Sequence, residues 1–196
     1  MSHSVPASSC SHATATNFDT TRRRVIRIAA AGLAAPLAVA SWPAVGAVNG
    51  DRLVDDDAEG APVPLSVSDL KPGKPILAYP FDLSSGKRRD ETRLNKVVLI
   101  RLPEAEMSAE TRARSAGGVL AYSAICTHQG CDAKTWVAKE KALVCFCHAS
   151  KFALLEGATV ISGPAARALP ALPLALDGDQ LVVAGAFTAT PGGSPA

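Results

Sequence analysis

Cys126-Thr127-His128-Gln129-Gly130-Cys131 and, further along, Cys145-Phe146-Cys147-His148-Ala149-Ser150 are the two stretches on which the reading of this 196-residue chain turns. Four of its five cysteines and two of its four histidines fall between Cys126 and Ser150. Each stretch offers one cysteine, one histidine and a further cysteine, and that concentration of thiolate and imidazole donors marks a metal centre. A tetrahedral zinc site of two cysteines and two histidines is one reading, because zinc takes those ligands. A 2Fe–2S centre in which two histidines replace two cysteines on one iron is the other. The segment between His128 and Cys145 is longer than the zinc-finger spacer of about 12–15 residues. Two spare cysteines placed so regularly beside the ligands also favour iron and sulfur.

The pattern Cys126-Thr-His128-x-Gly130-Cys131 with Cys145-x-Cys147-His148-x-Ser150 resembles the Rieske iron–sulfur proteins. These include the Rieske subunits of cytochrome bc complexes and the small subunits of arsenite-oxidase-type enzymes. The resemblance covers about residues 62–187 and is strongest over 119–185. It implies an all-β, antiparallel Rieske-type sandwich with two cluster-binding loops and one 2Fe–2S cluster. By it, Cys126 and Cys145 hold one iron, His128 and His148 hold the other, and Cys131 and Cys147 form a disulfide between the loops. Ser150 matches a serine whose hydroxyl donates to a bridging sulfide, which raises the potential by favouring the more negative reduced state. Phe152 stands where quinol-oxidising members carry a tyrosine, so one donor to a cysteine sulfur is missing, and Ala149 replaces the usual glycine. Gly163-Pro164 matches the start of the proline loop that covers the cluster, although Ala166 replaces a frequent second proline.

The first 48 residues read as a leader. Arg22-Arg23-Arg24 and Arg27 precede a largely apolar run from Ile28 to Val48, the pattern of a twin-arginine export signal. Such export delivers folded, cofactor-loaded protein to the periplasmic side of the bacterial inner membrane, where disulfides persist. Ala38-Val39-Ala40 and Val45-Gly46-Ala47 are the alternative cleavage sites. A run of about 20 apolar residues also suffices to span a bilayer, and the expectation is a retained anchor with its arginine end in the cytoplasm. The chain's formal charge of +2 comes from this leader. Without it the charges nearly cancel, and nothing points to nucleic acid.

Residues 49–62, acidic and rich in Gly, Ala and Pro, read as a flexible tether. The stretch 63–187 suits one domain. Runs of strand composition recur at 64–67, 76–79, 97–102, 119–123, 142–146, 172–176 and 181–186. Asp177-Gly178 marks a hairpin turn, and the polar excursion 103–118 holds room for one short helix. The tail 188–196 reads as disordered. Lys87-Arg88-Arg89 and Arg93 form a basic cluster, a solvated loop by default and otherwise a docking patch for an acidic partner.

Three functions follow. An electron-transfer subunit leads, as the iron–sulfur subunit of a periplasmic arsenite-oxidase-like enzyme, with a quinol–cytochrome c reductase as the alternative. Its partners are then a larger oxidoreductase subunit or a cytochrome b, and a c-type cytochrome or similar acceptor. A Rieske oxygenase is disfavoured, because a mononuclear iron site needs two further histidines and the remaining pair, His3 and His12, lies in the leader. No separate catalytic site is read on the chain. A zinc-stabilised module is the remote third.

Overall fold

Val97-Val98-Leu99-Ile100 is an unbroken apolar run, and the structure shows why it does not alternate with polar residues. This run forms β4 (Val97–Arg101), paired antiparallel to β5 (Val119–Ser123), and both strands are buried on both faces. Side chains along a strand point alternately to opposite sides. Val97, Leu99, Val119 and Ala121 enter one core, and Val98, Ile100, Leu120 and Tyr122 enter a second. A strand buried on two sides reads as a continuous hydrophobic run.

The computed structural model describes residues 46–193. The readings of an export signal, cleavage at 38–40 and a membrane anchor lie, wholly or in all but their last residues, outside the described residues. Among those described, no helix is long and apolar enough to cross a membrane.

Two antiparallel sheets make up the fold. The larger has the order β10-β11-β1-β2-β4-β5, with β1 (Arg52–Asp55), β2 (Ile76–Asp82), β10 (Leu174–Asp177) and β11 (Gln180–Val183); β3 (Lys87–Arg88) pairs antiparallel with the end of β2. The smaller runs in sequence order, β6 (Thr135–Val137), β7 (Ala142–Cys145), β8 (Ser150–Ala153) and β9 (Thr159–Ser162). The second core fills the space between the sheets, where Leu143, Phe152 and Leu154 meet Val98, Ile100 and Tyr122. The all-β expectation therefore holds. The Asp177-Gly178 hairpin is present, with Asp177 opposite Gln180 and Gly178 at φ 61°. The polar excursion supplies α1 (Ala109–Arg112), capped where the Ser108 hydroxyl accepts from the Thr111 amide.

Three expectations need correction. Residues 52–55 are not tether but β1, with Leu53 and Val54 fully buried. Two acidic residues of this stretch find distant partners: Asp51 pairs with Arg89 and Asp56 with Lys96, each at 2.7 Å. The chain is held even earlier, since the Gly46 amide donates to Asn95 Oδ1 at 2.8 Å and Ala47 is buried. Residues 64–67 are not a strand; they make isolated bridges at Pro64 and Ser66 and run into a 3-10 turn, Val67–Asp69. In the basic cluster, Arg88 pairs with Asp90, Arg89 with Asp51 and Asp82, and Arg93 with Asp132, while Lys87 is exposed. The tail is ordered through Gly193, with Pro191 and Gly192 buried.

Candidate metal centre

Both motif stretches are loops at one end of the sheets. Loop 1 (126–131) leaves the end of β5 and is closed by its own backbone. The Cys126 amide donates to Cys131 O at 2.7 Å, the Gly130 amide to Cys126 O at 3.0 Å, and the Ala133 amide to Ala124 O at 2.8 Å. Gly130 turns the loop at φ 75°, a conformation that favours glycine. Thr127 is buried, and its hydroxyl donates to the Arg167 carbonyl at 2.6 Å. Loop 2 joins β7 to β8, whose last and first residues, Cys145 and Ser150, sit opposite each other in the ladder. Residues 146–149 are all exposed, and Phe146 is 73% exposed.

The loops bring the six motif donors together in two groups. The Sγ atoms of Cys131 and Cys147 are at bonding distance, across a Cα–Cα span of 6.5 Å. Cys145 Sγ lies within 4.8 Å of both. Because those two sulfurs bond each other, Cys126 and Cys145 are the free thiols among the described residues, and both are buried. Burial pushes the Cys126 thiol up, against the opposing pull of the His128 amide and the Ser150 hydroxyl. The two imidazoles face each other on the outer side. His128 Nδ1 and His148 Nδ1 are 3.2 Å apart, with ring centroids 4.6 Å apart and planes at 87°.

That spacing tests whether the residues fit a metal. Two nitrogens bound at about 2.0–2.1 Å in a tetrahedral arrangement stand roughly 3.3 Å apart. The spacing of the rings is compatible with two ligands of one metal, and the two free thiols, Cys126 and Cys145, are buried soft donors. The donor set fits a centre of mixed thiolate and imidazole ligation.

Around the loops, Ser150 is buried and its Oγ accepts from the Ala165 amide at 3.2 Å. Gly163 is needed at its position: a Cβ there would stand 2.5 Å from Ser150 Cα and 2.8 Å from Ala149 O, and its φ is 91°. The Gly163-Pro164 turn thus lies directly against loop 2. Phe152 is fully buried opposite Leu143 and Val160. Sequence reasoning gave no role to Thr127, Arg167 or Phe146. Thr127 sits inside the motif and could have been asked what its hydroxyl bonds; Arg167 carries no local signal, because its partners are distant in sequence.

A family model described as the Rieske [2Fe-2S] domain matches residues 67–173. The chain is 36% identical over 117 residues to the cytochrome bc1 complex Rieske iron–sulfur subunit of Streptomyces lividans, covering 58% of this chain and 69% of that one. It is 36% identical over 126 residues to the subunit of the same name from Corynebacterium glutamicum, covering 61% of this chain and 29% of that one. The chain spans less than a third of the length of its corynebacterial relatives. Among solved structures, the plasma-membrane Rieske protein PetC3 of the cyanobacterium Synechocystis is similar at 24% identity and a TM-score of 0.42, over 60% of this chain and 93% of that one.

Proposed function

This chain belongs to the Rieske [2Fe-2S] domain family and binds one 2Fe–2S cluster, and we propose that Cys126 and Cys145 hold one iron and His128 and His148 the other. The 3.2 Å approach of the two Nδ1 atoms supports the pairing of the histidines. The cluster supplies one-electron transfer when bound. The chain's residues fix its place: buried sulfurs on the inner side, imidazoles on the outer side, and the disulfide joining the loops.

We further propose that the chain serves as the Rieske subunit of a quinol–cytochrome c reductase on the periplasmic face, with a cytochrome b as donor-side partner and a c-type cytochrome as acceptor. The observation that carries this is the match over 69% of the Streptomyces subunit, named for a cytochrome bc1 complex. The relatives' names thus favour the reading placed second from sequence over the arsenite-oxidase-type one. The tip chemistry is compatible with a membrane-protein socket. Residues 146–149 and 161–166 carry no Asp, Glu, Lys or Arg, and Phe146 and Ile161 are exposed there. A contact of this kind depends little on salt, unlike one made through surface charges.

Phe152 still favours the oxidase-type small subunit as a second reading, because it offers no hydroxyl to a cluster sulfur. Purification of the tagged full chain from its native membranes separates the two. Copurifying b-type haem is the expected result; a molybdenum-containing large subunit in its place overturns the reductase assignment. Loss of the cluster on replacing any of Cys126, His128, Cys145 or His148 is expected in the same material, and iron and sulfide retained in all four variants would overturn the ligand assignment.

A further inference from the structure

The segment 188–193 lies on the back of loop 1. The Thr188 amide donates to Ala171 O and the Ala171 amide to Thr188 Oγ1, each at 2.9 Å, so the segment starts from a fixed point on the scaffold. It then runs to the loop itself. Gly193 approaches so closely that a Cβ would stand 2.5 Å from His128 O, 3.1 Å from His128 C and 3.3 Å from Gln129 Cα. A Cβ on Gly192 would stand 3.2 Å from the Leu94 side chain and 3.9 Å from that of Ile125.

Arg167 joins the two layers. Its Nη2 donates to Thr190 O at 2.7 Å and to Gly192 O at 2.6 Å, while its own carbonyl accepts the Thr127 hydroxyl at 2.6 Å. One residue therefore grips the segment with its guanidinium and the loop with its backbone. Hydrogen bonds from a charged donor are the stronger kind, and both of these leave the same Nη2 nitrogen. The His128 backbone is thus confined from behind by Gly193 and from the side by Thr127.

We infer that residues 188–193 are a strap, latched by Arg167, that holds the His128 backbone and thereby aims its imidazole at the cluster. Arg167 is a positioning residue: its hydrogen bonds go to the Thr127 hydroxyl and to strap carbonyls, and through them it fixes the peptide from which His128 projects. The inference rests on the assignment of His128 as a ligand. It concerns retention and geometry of the cluster, not the route of the electron.

Two variants act on opposite parts of the strap. Arg167→Ala releases the latch, and Gly193→Ala forces the strap off His128 O. Gly185→Ala, with nothing within 4 Å of its added Cβ, is the control. Each is made in the full chain and loaded with cluster. The expected result is cluster loss at least ten-fold faster than in the parent for Arg167→Ala and Gly193→Ala, with a shifted EPR g-anisotropy from the reoriented imidazole. Amides 128–130 should also exchange hydrogen faster in both, and Arg167→Lys should recover part of the retention. Gly185→Ala should match the parent in every measure. If Arg167→Ala and Gly193→Ala load normally and keep the parent's release rate and EPR spectrum, the strap has no role and the inference is overturned. If His128→Ala itself keeps an unchanged cluster, the ligand assignment fails instead, a different result in a different variant.

Discussion

Loop 1 and loop 2 carry the same kinds of donor but are held in different ways. Loop 1 is closed on itself by backbone hydrogen bonds, tied at Thr127 to Arg167, tied at its exit by the Arg93–Asp132 pair, and backed by the strap. Loop 2 leaves four consecutive residues exposed, and Ala149 stands in it at φ 57°, a conformation that costs an L-residue roughly 1–2 kcal/mol. Below its tip it has the Cys145–Ser150 ladder pair and the close approach of Gly163; out at the tip it has the disulfide. A site built from one anchored loop and one presented loop gains a fixed reference and an accessible face. The disulfide is what lends the rigidity of the first to the second.

Breaking that bond is the strongest test. For a sequence separation of 16 residues, a disulfide is worth about 3 kcal/mol. Cys131→Ser should lower stability by about that amount, measured by urea unfolding. Hydrogen exchange should rise at 146–149 and stay near the parent value at 126–130. Equal loosening of both loops would contradict the asymmetry.

Tyr122 offers the opposite kind of perturbation, because it joins the two stems. It stands in β5, ahead of loop 1, and its hydroxyl donates at 2.8 Å to Leu154 O, just beyond β8. Burial pushes its pKa up to about 12 from 10.0. The folded state therefore holds this proton more tightly than the unfolded state does. Stability is fully present below pH 10 and falls as pH rises towards 12, by at most roughly 2.7 kcal/mol for two pKa units. Tyr122→Phe should flatten that alkaline decline in a pH series of melts, and the loosening it removes should be shared by both loops.

A smaller effect belongs to Ser150, buried at the root of loop 2. Ser150→Ala should lower the cluster potential, since a donor to the cluster stabilises its reduced form. A hydrogen bond to a charged acceptor is worth about 1.5–3 kcal/mol, which at 59 mV per tenfold sets an upper bound of roughly 65–130 mV. Protein-film voltammetry reads it directly. An unchanged potential would mean that the hydroxyl serves the Ala165 amide and Cys126 only.

The smallest change is Ala149→Gly. Glycine occupies positive φ freely, but it also makes the unfolded chain more mobile. The net gain should be below about 1 kcal/mol, seen as a slightly raised melting temperature with no change at loop 1. A destabilised Ala149→Gly protein would show that loop 2 is not strained there.

That the two motif loops belong together was legible in the sequence, because thiol and imidazole side chains such as Cys126, His128, Cys145 and His148 cannot hide among hydrophobic alternatives. The β4 and β5 strands and the Asp177-Gly178 hairpin were legible for local reasons: unbroken apolar runs and a turn dipeptide. What escaped depended on distant partners. Asp51 and Asp56 look repulsive until Arg89 and Lys96 stand beside them, so β1 passed for a tether. The Pro-Gly-Gly of 191–193 looks like slack chain until the back of loop 1 is in view. β9 escaped for another reason: its residues are mostly exposed and show no alternation.

The sharing of β4 and β5 between two cores has a bearing on how the molecule comes apart. Neighbouring side chains on the same strand belong to different cores, so neither core can loosen without unfastening strands that the other depends on. Independent melting of a cluster-bearing half is therefore not available to this fold, and unfolding from 46 to 193 should be all-or-none. Cluster release on heating and the collapse of the larger sheet should then coincide as one cooperative transition, even though no ligand comes from the larger sheet's far edge, β10 and β11.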